Sequence, residues 1–451
     1  MGHIMSGHIC GGTSRLVSWR QRRRQLSPQN TFRVGELDAA CAGMQMCMAL
    51  RSVEIRRDTP EILDRVADAG PESRVGLVPQ RDSRDWRIVA NPGQSAMLPA
   101  CTDHGDELED TLRCLGGKRP QSPMAVWQCG SYTCIYCDHG LGDVRLIQKL
   151  GAMLTNPDIS LAWLMAGPSN TRRPLLRALV YACGSRPVRM ARDLVAVGWQ
   201  TMLTFRERVA ARNRGDLAVA EPADVRESSY SVAFASGSLI EQFRAHRDSR
   251  HPGASVATLL MHRMYRSFKS AGVDIPDDVD IPIDCRRYLP PGVTTQGNFQ
   301  ALMRVPMADA ATPADFAESL KNEIQSLRPL VLLARWLLVT KLQALLGGIR
   351  RHPPGEELAT RRTAPGKMVL TLVDDTRWVD QAAVKWRHAE NSHFVGVVAP
   401  ETHKHVGITL SASGDGRLQA TATFYESQID PGTVQQALER AIVLTSADHG
   451  R

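Results

Sequence analysis

Along most of this chain, segments with the apolar alternation of β-strands are interleaved with segments that have the apolar spacing of amphipathic helices. Residues 44–55 and 297–307 have the strand pattern, whereas residues 144–154 have the helical one. Near the end of the chain, the sequence GDG at residues 414–416 separates two alternating runs, which predicts a hairpin. This order of elements predicts a mixed α/β or α+β protein.

The length of the chain is a second constraint, because 451 residues exceed what one ordinary hydrophobic core encloses. We therefore expect two lobes. The pattern predicts a first lobe at residues 44–215 and a second at residues 230–451, joined by a polar linker at residues 216–229. Residues 1–43 have no clear assignment to either lobe.

Composition and charge argue against several functional classes. The chain contains no run of about 18 uncharged apolar residues, so we expect no membrane span. The net charge of +8 comes mostly from scattered arginines, with one cluster at residues 20–24, which argues against a nucleic-acid partner. The first 30 residues contain no secretory signal and the ten cysteines are irregularly spaced, so we expect a reduced, cytoplasmic protein.

The stretch SYTCIYCDHGLGD, at residues 131–143, has three interpretations. The first is a metal site, because Cys129, Cys134 and Cys137 have the C-x4-C-x2-C spacing of some iron–sulfur proteins. In a strand, however, Cys134 and Cys137 lie on opposite faces and do not converge on one ion. We therefore expect no metal here.

The second interpretation is a buried strand followed by a turn, in which Gly140 and Gly142 serve only the backbone geometry. The third is proton transfer by His139. An unperturbed histidine has a pKa of about 6.5, so its ring can be neutral and accept a proton at physiological pH. Asp143 then either orients the imidazole or forms a structural ion pair, and a buried carboxylate requires a cationic partner. Arg286 and Arg287 lie at the end of a predicted strand, and either could supply one.

In combination, these segments resemble a known family. The series DHGLGD, helix, PIDCRRYLP, GNFQALMRVPM and a final strand–GDG–strand–helix resembles the condensation-domain acyltransferase superfamily. The second His and the Asp of the family motif HHxxxDG match His139 and Asp143. Asp138 stands in place of the first His, and Val144 in place of the Gly. The resemblance extends over residues 44–444.

The resemblance implies two lobes with the fold of chloramphenicol acetyltransferase, arranged as a V with a tunnel between them. It places His139 in the middle of the tunnel as a general base, and it makes Asp143 an ion-pair partner of Arg286 that holds the motif loop in shape. Arg287 is the weaker candidate, because adjacent strand residues point to opposite faces. Gly142 is expected to allow the tight turn before Asp143. Further tunnel or motif neighbours are Asp138, Gly140 and Asn298.

The resemblance also implies a function. It predicts a stand-alone acyltransferase of specialised metabolism that moves an acyl group from a phosphopantetheine thioester to an alcohol or amine. Coenzyme A or a carrier protein presents the thioester, so an acyl- or peptidyl-carrier protein is an expected partner, and no bound cofactor is expected. The alternative is a non-catalytic docking module of a biosynthetic assembly line.

Overall fold

Strands and helices alternate through the computed structural model of the protein in the order that the sequence predicts. Within the part of the chain that the structure describes, no helix is long and apolar enough to cross a membrane. The described residues are 31–80, 83–101, 108–117, 120–161, 169–171, 173–213, 228–235, 237–307, 310, 312–347, 367–374, 384, 386, 393–398, 405–412 and 418–443. The predicted linker therefore lies almost entirely outside the described residues.

The strands form two large sheets and two small ones. In chain order they are β1 (Thr31–Arg33), β2 (Gln45–Arg51), β3 (Leu77–Val78), β4 (Asp85–Ile88), β5 (Met124–Cys129), β6 (Tyr132–Asp138), β7 (Ser169–Asn170), β8 (Ser229–Ala235), β9 (Asp278–Asp284), β10 (Val293–Thr294), β11 (Gln300–Pro306), β12 (Lys367–Asp374), β13 (His393–Val398), β14 (His405–Ala412) and β15 (Leu418–Phe424).

The α-helices lie between these strands, and three short 3₁₀ turns accompany them within the described residues, at Pro71–Ser73, His139–Leu141 and Cys285–Tyr288. The helices are α1 (Glu36–Cys41), α2 (Thr59–Asp68), α3 (Gly93–Ala96), α4 (Leu108–Gly117), α5 (Val144–Thr155), α6 (Pro174–Ser185), α7 (Pro187–Asn213), α8 (Gly237–Arg250), α9 (Val256–Ser270), α10 (Pro313–Gln325), α11 (Arg328–Gly347) and α12 (Pro431–Ile442).

The larger sheet has six strands in the order β11-β9-β12-β14-β15-β8. β12 is parallel to β9 and β14, and the other neighbours are antiparallel. The two strands of the predicted hairpin pair directly as β14 and β15, whereas its GDG turn at residues 414–416 lies outside the described residues. Helix α12 packs against β8 and β15, and α9 packs against α12. Four fully buried phenylalanines belong to the core on this side of the molecule: Phe243, Phe268, Phe316 and Phe424.

The second large sheet has four antiparallel strands in the order β13-β2-β6-β5. Its edge strand, β13, comes from the segment predicted as the second lobe and pairs Val395 with Ala49 of β2. The same strand lies against β14 and β15 of the six-stranded sheet. One strand from the later part of the chain therefore contacts both large sheets.

The strand β6 and the helix α5 place the motif between them. All seven residues of β6 are buried, because β2 and β5 flank the strand in the sheet. At Gly151 of α5, a Cβ atom would lie 2.3 Å from Cε of Met48, so a larger residue there would require the Met48 side chain to move. Apolar residues at helical spacing face the sheet side: Leu146, Ile147, Leu150 and Met153.

Residues 31–43, which the sequence leaves unassigned, pack into the apolar core beside the four-stranded sheet. β1 pairs antiparallel with β4, which places Phe32 opposite Trp86. Phe32, Val34 and Trp86 are buried in the same apolar cluster as β2 and β6. The pattern of the sequence does not predict this because β1 has only three residues, too few to display a period.

The position of β13 leads to a stability prediction. Val395 is fully buried, so Val395→Ala should lower the free energy of unfolding by about 2 kcal/mol through lost burial and a residual cavity. Val443, which is 50% exposed, provides the matched control, and Val443→Ala should cost less than about 0.5 kcal/mol. Denaturant unfolding measures both. Equal effects at the two valines would contradict the packing of β13 between the sheets.

Candidate active site

His139 is the first residue of the 3₁₀ turn (His139–Leu141) that joins β6 to α5. The strand ends at Asp138, whose carboxylate accepts hydrogen bonds from Gly140 N at 2.8 Å and from Gly43 N at 2.8 Å. Asp138 therefore caps the turn and ties it to the loop between α1 and β2. The residue that stands in place of the first motif His thus has a structural explanation.

The His139 side chain is oriented through one ring nitrogen. The residue is only 6% exposed, and Nδ1 lies 2.9 Å from the carbonyl oxygen of Gly142. A carbonyl oxygen can only accept, so Nδ1 carries the hydrogen of this bond and Nε2 of the neutral ring carries the free electron pair. The backbone is held as well, because His139 N donates to Met44 O at 2.8 Å and His139 O accepts from Asn298 Nδ2 at 2.7 Å.

The two glycines of the turn meet a packing requirement. The φ angle of Gly142 is 167°, an extended conformation that any residue adopts. A Cβ atom at Gly142 would lie 2.9 Å from Cδ2 of Leu146, and one at Gly140 would lie 2.9 Å from a ring carbon of Trp86. The reason given from the sequence for Gly142, a tight turn, is therefore wrong, and close approach to α5 takes its place.

Two Asp-x-Arg sequences from distant parts of the chain lie beside this turn, and the aspartate of each forms an ion pair with the arginine of the other. The carboxylate of Asp143 lies 2.7 Å from the guanidinium of Arg286, and that of Asp284 lies 2.6 Å from Arg145. Each aspartate also accepts a hydrogen bond from the backbone N–H two residues later, Asp143 from Arg145 at 3.1 Å and Asp284 from Arg286 at 3.0 Å. Each carboxylate therefore caps its own helical turn and binds the opposite arginine.

The Arg286 guanidinium is buried and its donors are occupied. Nε donates to Thr295 O at 2.9 Å, one terminal nitrogen donates to Gly297 O at 2.7 Å, and the other faces both carboxylates. Burial on its own would lower the pKa of Arg286, but the carboxylates of Asp143 and Asp284 raise it above its ordinary value. The group is therefore a permanent cation that neutralises the buried aspartate.

The location of Arg286 corrects the reasoning from sequence. β9 ends at Asp284, and Cys285–Tyr288 is a 3₁₀ turn instead of a continued strand. Strand alternation therefore cannot decide which arginine points inward. Asp284 decides it by capping the turn, which directs Arg286 toward Asp143 and leaves Arg287 exposed.

Asn298 connects the His139 turn to helix α1. Besides its contact with His139 O, its backbone N–H donates to Asp38 Oδ1 at 2.8 Å. Asp38 forms a buried ion pair with Arg74 at 2.8 Å. Gly297 lies so close to this pair that a Cβ atom there would be 2.7 Å from the Arg74 guanidinium. The sequence GNF is thus the point where the later part of the chain contacts the N-terminal segment.

Four charged residues of this network were missed at the level of sequence: Asp38, Arg74, Arg145 and Asp284. A signal for two of them was present, because Asp143-Val144-Arg145 and Asp284-Cys285-Arg286 have the same spacing. Asp38 and Arg74 had no local signal, because neither belongs to a recognisable motif and Asp38 lies in the unassigned segment.

The cysteines of the motif strand lie on opposite faces, as the strand pattern predicts. Cys134 packs in one apolar cluster with Cys129, whereas Cys137 packs in another with Ile135. Burial raises the pKa of the Cys134 and Cys137 thiols. Both are therefore neutral core side chains rather than convergent ligands.

A different group of three cysteines lies at the other end of β5. The sulfur atoms of Cys101, Cys114 and Cys129 are within 4.8 Å of one another. Those of Cys101 and Cys114 are 2.7 Å apart, shorter than the roughly 3.8 Å between two sulfurs on one tetrahedral zinc with bonds of about 2.3 Å. The geometry therefore does not match preformed zinc ligands.

Comparisons with known proteins bear on the fold. No protein-family model matches the chain, and no curated protein matches it. The structure of the trichothecene 15-O-acetyltransferase from Fusarium sporotrichioides is 10% identical, with a TM-score of 0.56 over 93% of this chain and 97% of that chain. The first condensation domain of the calcium-dependent antibiotic synthetase is 12% identical, with a TM-score of 0.54 over 91% and 97% of the two chains.

Polyketide synthase associated protein 5 from Mycobacterium tuberculosis is 13% identical, with a TM-score of 0.50 over 93% of this chain and 98% of that chain. These similarities cover nearly the full length of each protein. The predicted fold is therefore confirmed: the chain has the fold of condensation domains and of related acyltransferases. The V-shaped arrangement and the tunnel stay predictions.

The exchange of partners leads to a second stability prediction. Arg286→Met should lower the free energy of unfolding by about 3–5 kcal/mol, because it leaves Asp143 buried without a guanidinium. Asp143→Asn should cost less, since Arg286 keeps Asp284 at 3.2 Å. The exposed neighbour provides the control, and Arg287→Met should cost less than about 0.5 kcal/mol. Denaturant unfolding of the three variants measures the losses in free energy of unfolding. Equal losses for Arg286→Met and Arg287→Met would refute the prediction.

Proposed function

We propose that the protein is an acyltransferase that moves an acyl group from a phosphopantetheine thioester to an alcohol or amine, with His139 as the general base. One observation carries the proposal: the bond between His139 Nδ1 and Gly142 O leaves Nε2 of the neutral ring with the electron pair. A base is useful because an alcohol attacks well only when its proton is removed during attack, an effect of about 10²–10⁴-fold.

In the proposed reaction, the acceptor attacks the thioester directly. Nε2 of His139 accepts the proton of the acceptor hydroxyl or amine while the acceptor oxygen or nitrogen attacks the thioester carbonyl carbon. The carbon–sulfur bond then breaks, and the thiolate leaves with the proton from the imidazolium. The products are an ester or amide and a free thiol, so the enzyme returns to its starting state without a covalent intermediate.

The residues around His139 position the ring in this proposal and do not contact the reacting atoms. Backbone bonds to Met44 and Asn298 fix the turn, and the Gly142 carbonyl selects the tautomer. The pair Asp143–Arg286 holds the start of α5 behind the turn. Such support matters because a base that moves by about 1 Å loses much of its effect.

The Asn298 side chain supplies a second polar group beside the turn. Its Nδ2 is occupied by His139 O and Asp38, whereas Oδ1 is buried and accepts no hydrogen bond from any described residue. A buried acceptor without a donor costs about 1–3 kcal/mol. In the proposal, a second O–H or N–H group of the bound substrate, apart from the proton that His139 accepts, donates to Oδ1.

The fold and the names of the similar structures support the proposed donor class. One of them is described as polyketide synthase associated, and another is a condensation domain of an antibiotic synthetase. We propose that the donor is a thioester on an acyl- or peptidyl-carrier protein or on coenzyme A. No cofactor has a part in the proposed reaction, because the imidazole and the thioester supply all the chemistry.

The test is transfer by the intact protein with a panel of acyl-carrier proteins and acyl-coenzyme A donors, followed by intact mass spectrometry and free-thiol release. His139→Ala should fold and melt like the parent but lose transfer by about 10²-fold or more. His251→Gln, a histidine of the later part of the chain, should retain full transfer. Full turnover by His139→Ala would refute general-base catalysis.

The same experiment separates the enzyme from the alternative of a docking module. A docking module binds a carrier protein without releasing its acyl group, and His139→Ala leaves that binding unchanged. Carrier binding without transfer by the parent protein, across donors and acceptors, would therefore assign the non-catalytic role.

A further inference from the structure

Most exposed apolar side chains of the described residues lie on three helices. Eleven of the fourteen large apolar residues that are exposed belong to α6, α7 and α11. Soluble monomers expose apolar residues singly, and contiguous patches above a few hundred Å² mark interaction sites. The eleven are Leu176, Val180, Tyr181, Val188, Leu194, Val195, Trp199, Met202, Trp336, Leu338 and Val339.

Helix α7 shows the pattern most clearly. It contacts the body of the protein through a narrow stripe of buried residues, Met190, Asp193 and Val197, at spacings of three and four. At 100° per residue, the positions opposite this stripe fall at residues 188, 195, 199 and 202. These positions are apolar, and Val188 is 83% exposed and Trp199 60% exposed. The helix therefore presents its apolar side chains outward.

The three helices pack against one another, so their outward sides adjoin. Ala178 of α6, Val197 of α7 and Leu337 of α11 belong to one buried cluster beneath them. The outward apolar residues of the three helices are named the outer apolar face. It consists of Leu176, Val180, Val188, Val195, Trp199, Met202, Leu338 and Val339.

The charge beside this face is mostly positive. Residues 173–206 contain six arginines and no lysine, and their one acidic residue is Asp193. Asp193 is 2% exposed and accepts a hydrogen bond from Leu327 N, so its charge points inward. The arginines, in contrast, are exposed: Arg173, Arg177, Arg186, Arg189, Arg192 and Arg206.

We propose that the outer apolar face binds the surface of a lipid bilayer with anionic headgroups. Exposed aliphatic residues and a tryptophan suit the boundary between headgroups and acyl chains, and arginines beside them suit phosphate. A second copy of the chain is disfavoured, because pairing this face with itself would bring the two sets of arginines together. The protein lies on the bilayer rather than across it, and the inference is independent of the reaction proposed above.

Flotation of the intact protein with lipid vesicles tests the proposal. Vesicles of phosphatidylcholine with about 30% phosphatidylglycerol should carry the protein, vesicles of phosphatidylcholine alone should carry at least about tenfold less, and about 1 M salt should release it. Val195→Ser/Trp199→Ser should lower partition at least about tenfold, and Arg186→Gln/Arg192→Gln should do the same. Leu302→Ser removes a side chain that is 41% exposed on β11 and should leave partition unchanged.

Several results would overturn the proposal. Failure of the parent protein to float with anionic vesicles is one, and parent-like flotation of Val195→Ser/Trp199→Ser is another. A dimer at micromolar concentration that this double substitution dissociates would assign the face to a second copy. Loss of carrier-protein binding in the same variant, with vesicle binding intact, would assign it to a protein partner. Parent-like melting temperatures establish that all variants are folded.

Discussion

The charge exchange between two Asp-x-Arg sequences holds the turn that carries His139. Asp143 and Arg286 are both buried, and the Asp143 carboxylate depends on Arg286 for its compensating charge. Asp284 and Arg145 repeat the arrangement in the opposite direction. Because each carboxylate also caps its own helical turn, the interaction fixes backbone as well as side chains.

The exchange also connects segments that are far apart in the chain. Arg145 and Asp284 are separated by 139 residues, and Asp38 and Asn298 by 260. The His139 backbone lies among these links and is itself bonded to Met44 O and to the Asn298 side chain. A base held in this way keeps its position when substrate arrives, which is the main structural requirement of the proposed reaction.

The local pattern predicted the elements near the site well. β6, the turn and α5 follow one another as the alternation, the glycines and the helical spacing indicate. The inward arginine was also named correctly, but the reason was wrong, since a 3₁₀ turn replaces the end of the strand. Local pattern cannot distinguish these cases, because a capped turn of four residues is too short to display a period.

Helix α7 illustrates a second limit of local pattern. Its sequence is apolar at many positions, so local pattern indicates a helix without indicating which side is buried. Its exposed side became visible once the buried stripe of Met190, Asp193 and Val197 was known. Which side of a helix is buried depends on its neighbours, and one neighbour of α7, helix α11, lies more than a hundred residues later.

The order of residues alone was sufficient for the type of most main elements and for the two paired strands near the end of the chain, since these depend on periodicity within a few residues. Folding in three dimensions was necessary to select the partners: Asp284 for Arg145, Asp38 for Asn298, and β2 for β13. Such pairs form between segments that are far apart in the chain, so local spacing cannot predict them. Because these groups are buried, leaving a charge without its partner would cost several kcal/mol, about 3–5 kcal/mol for a buried ion pair.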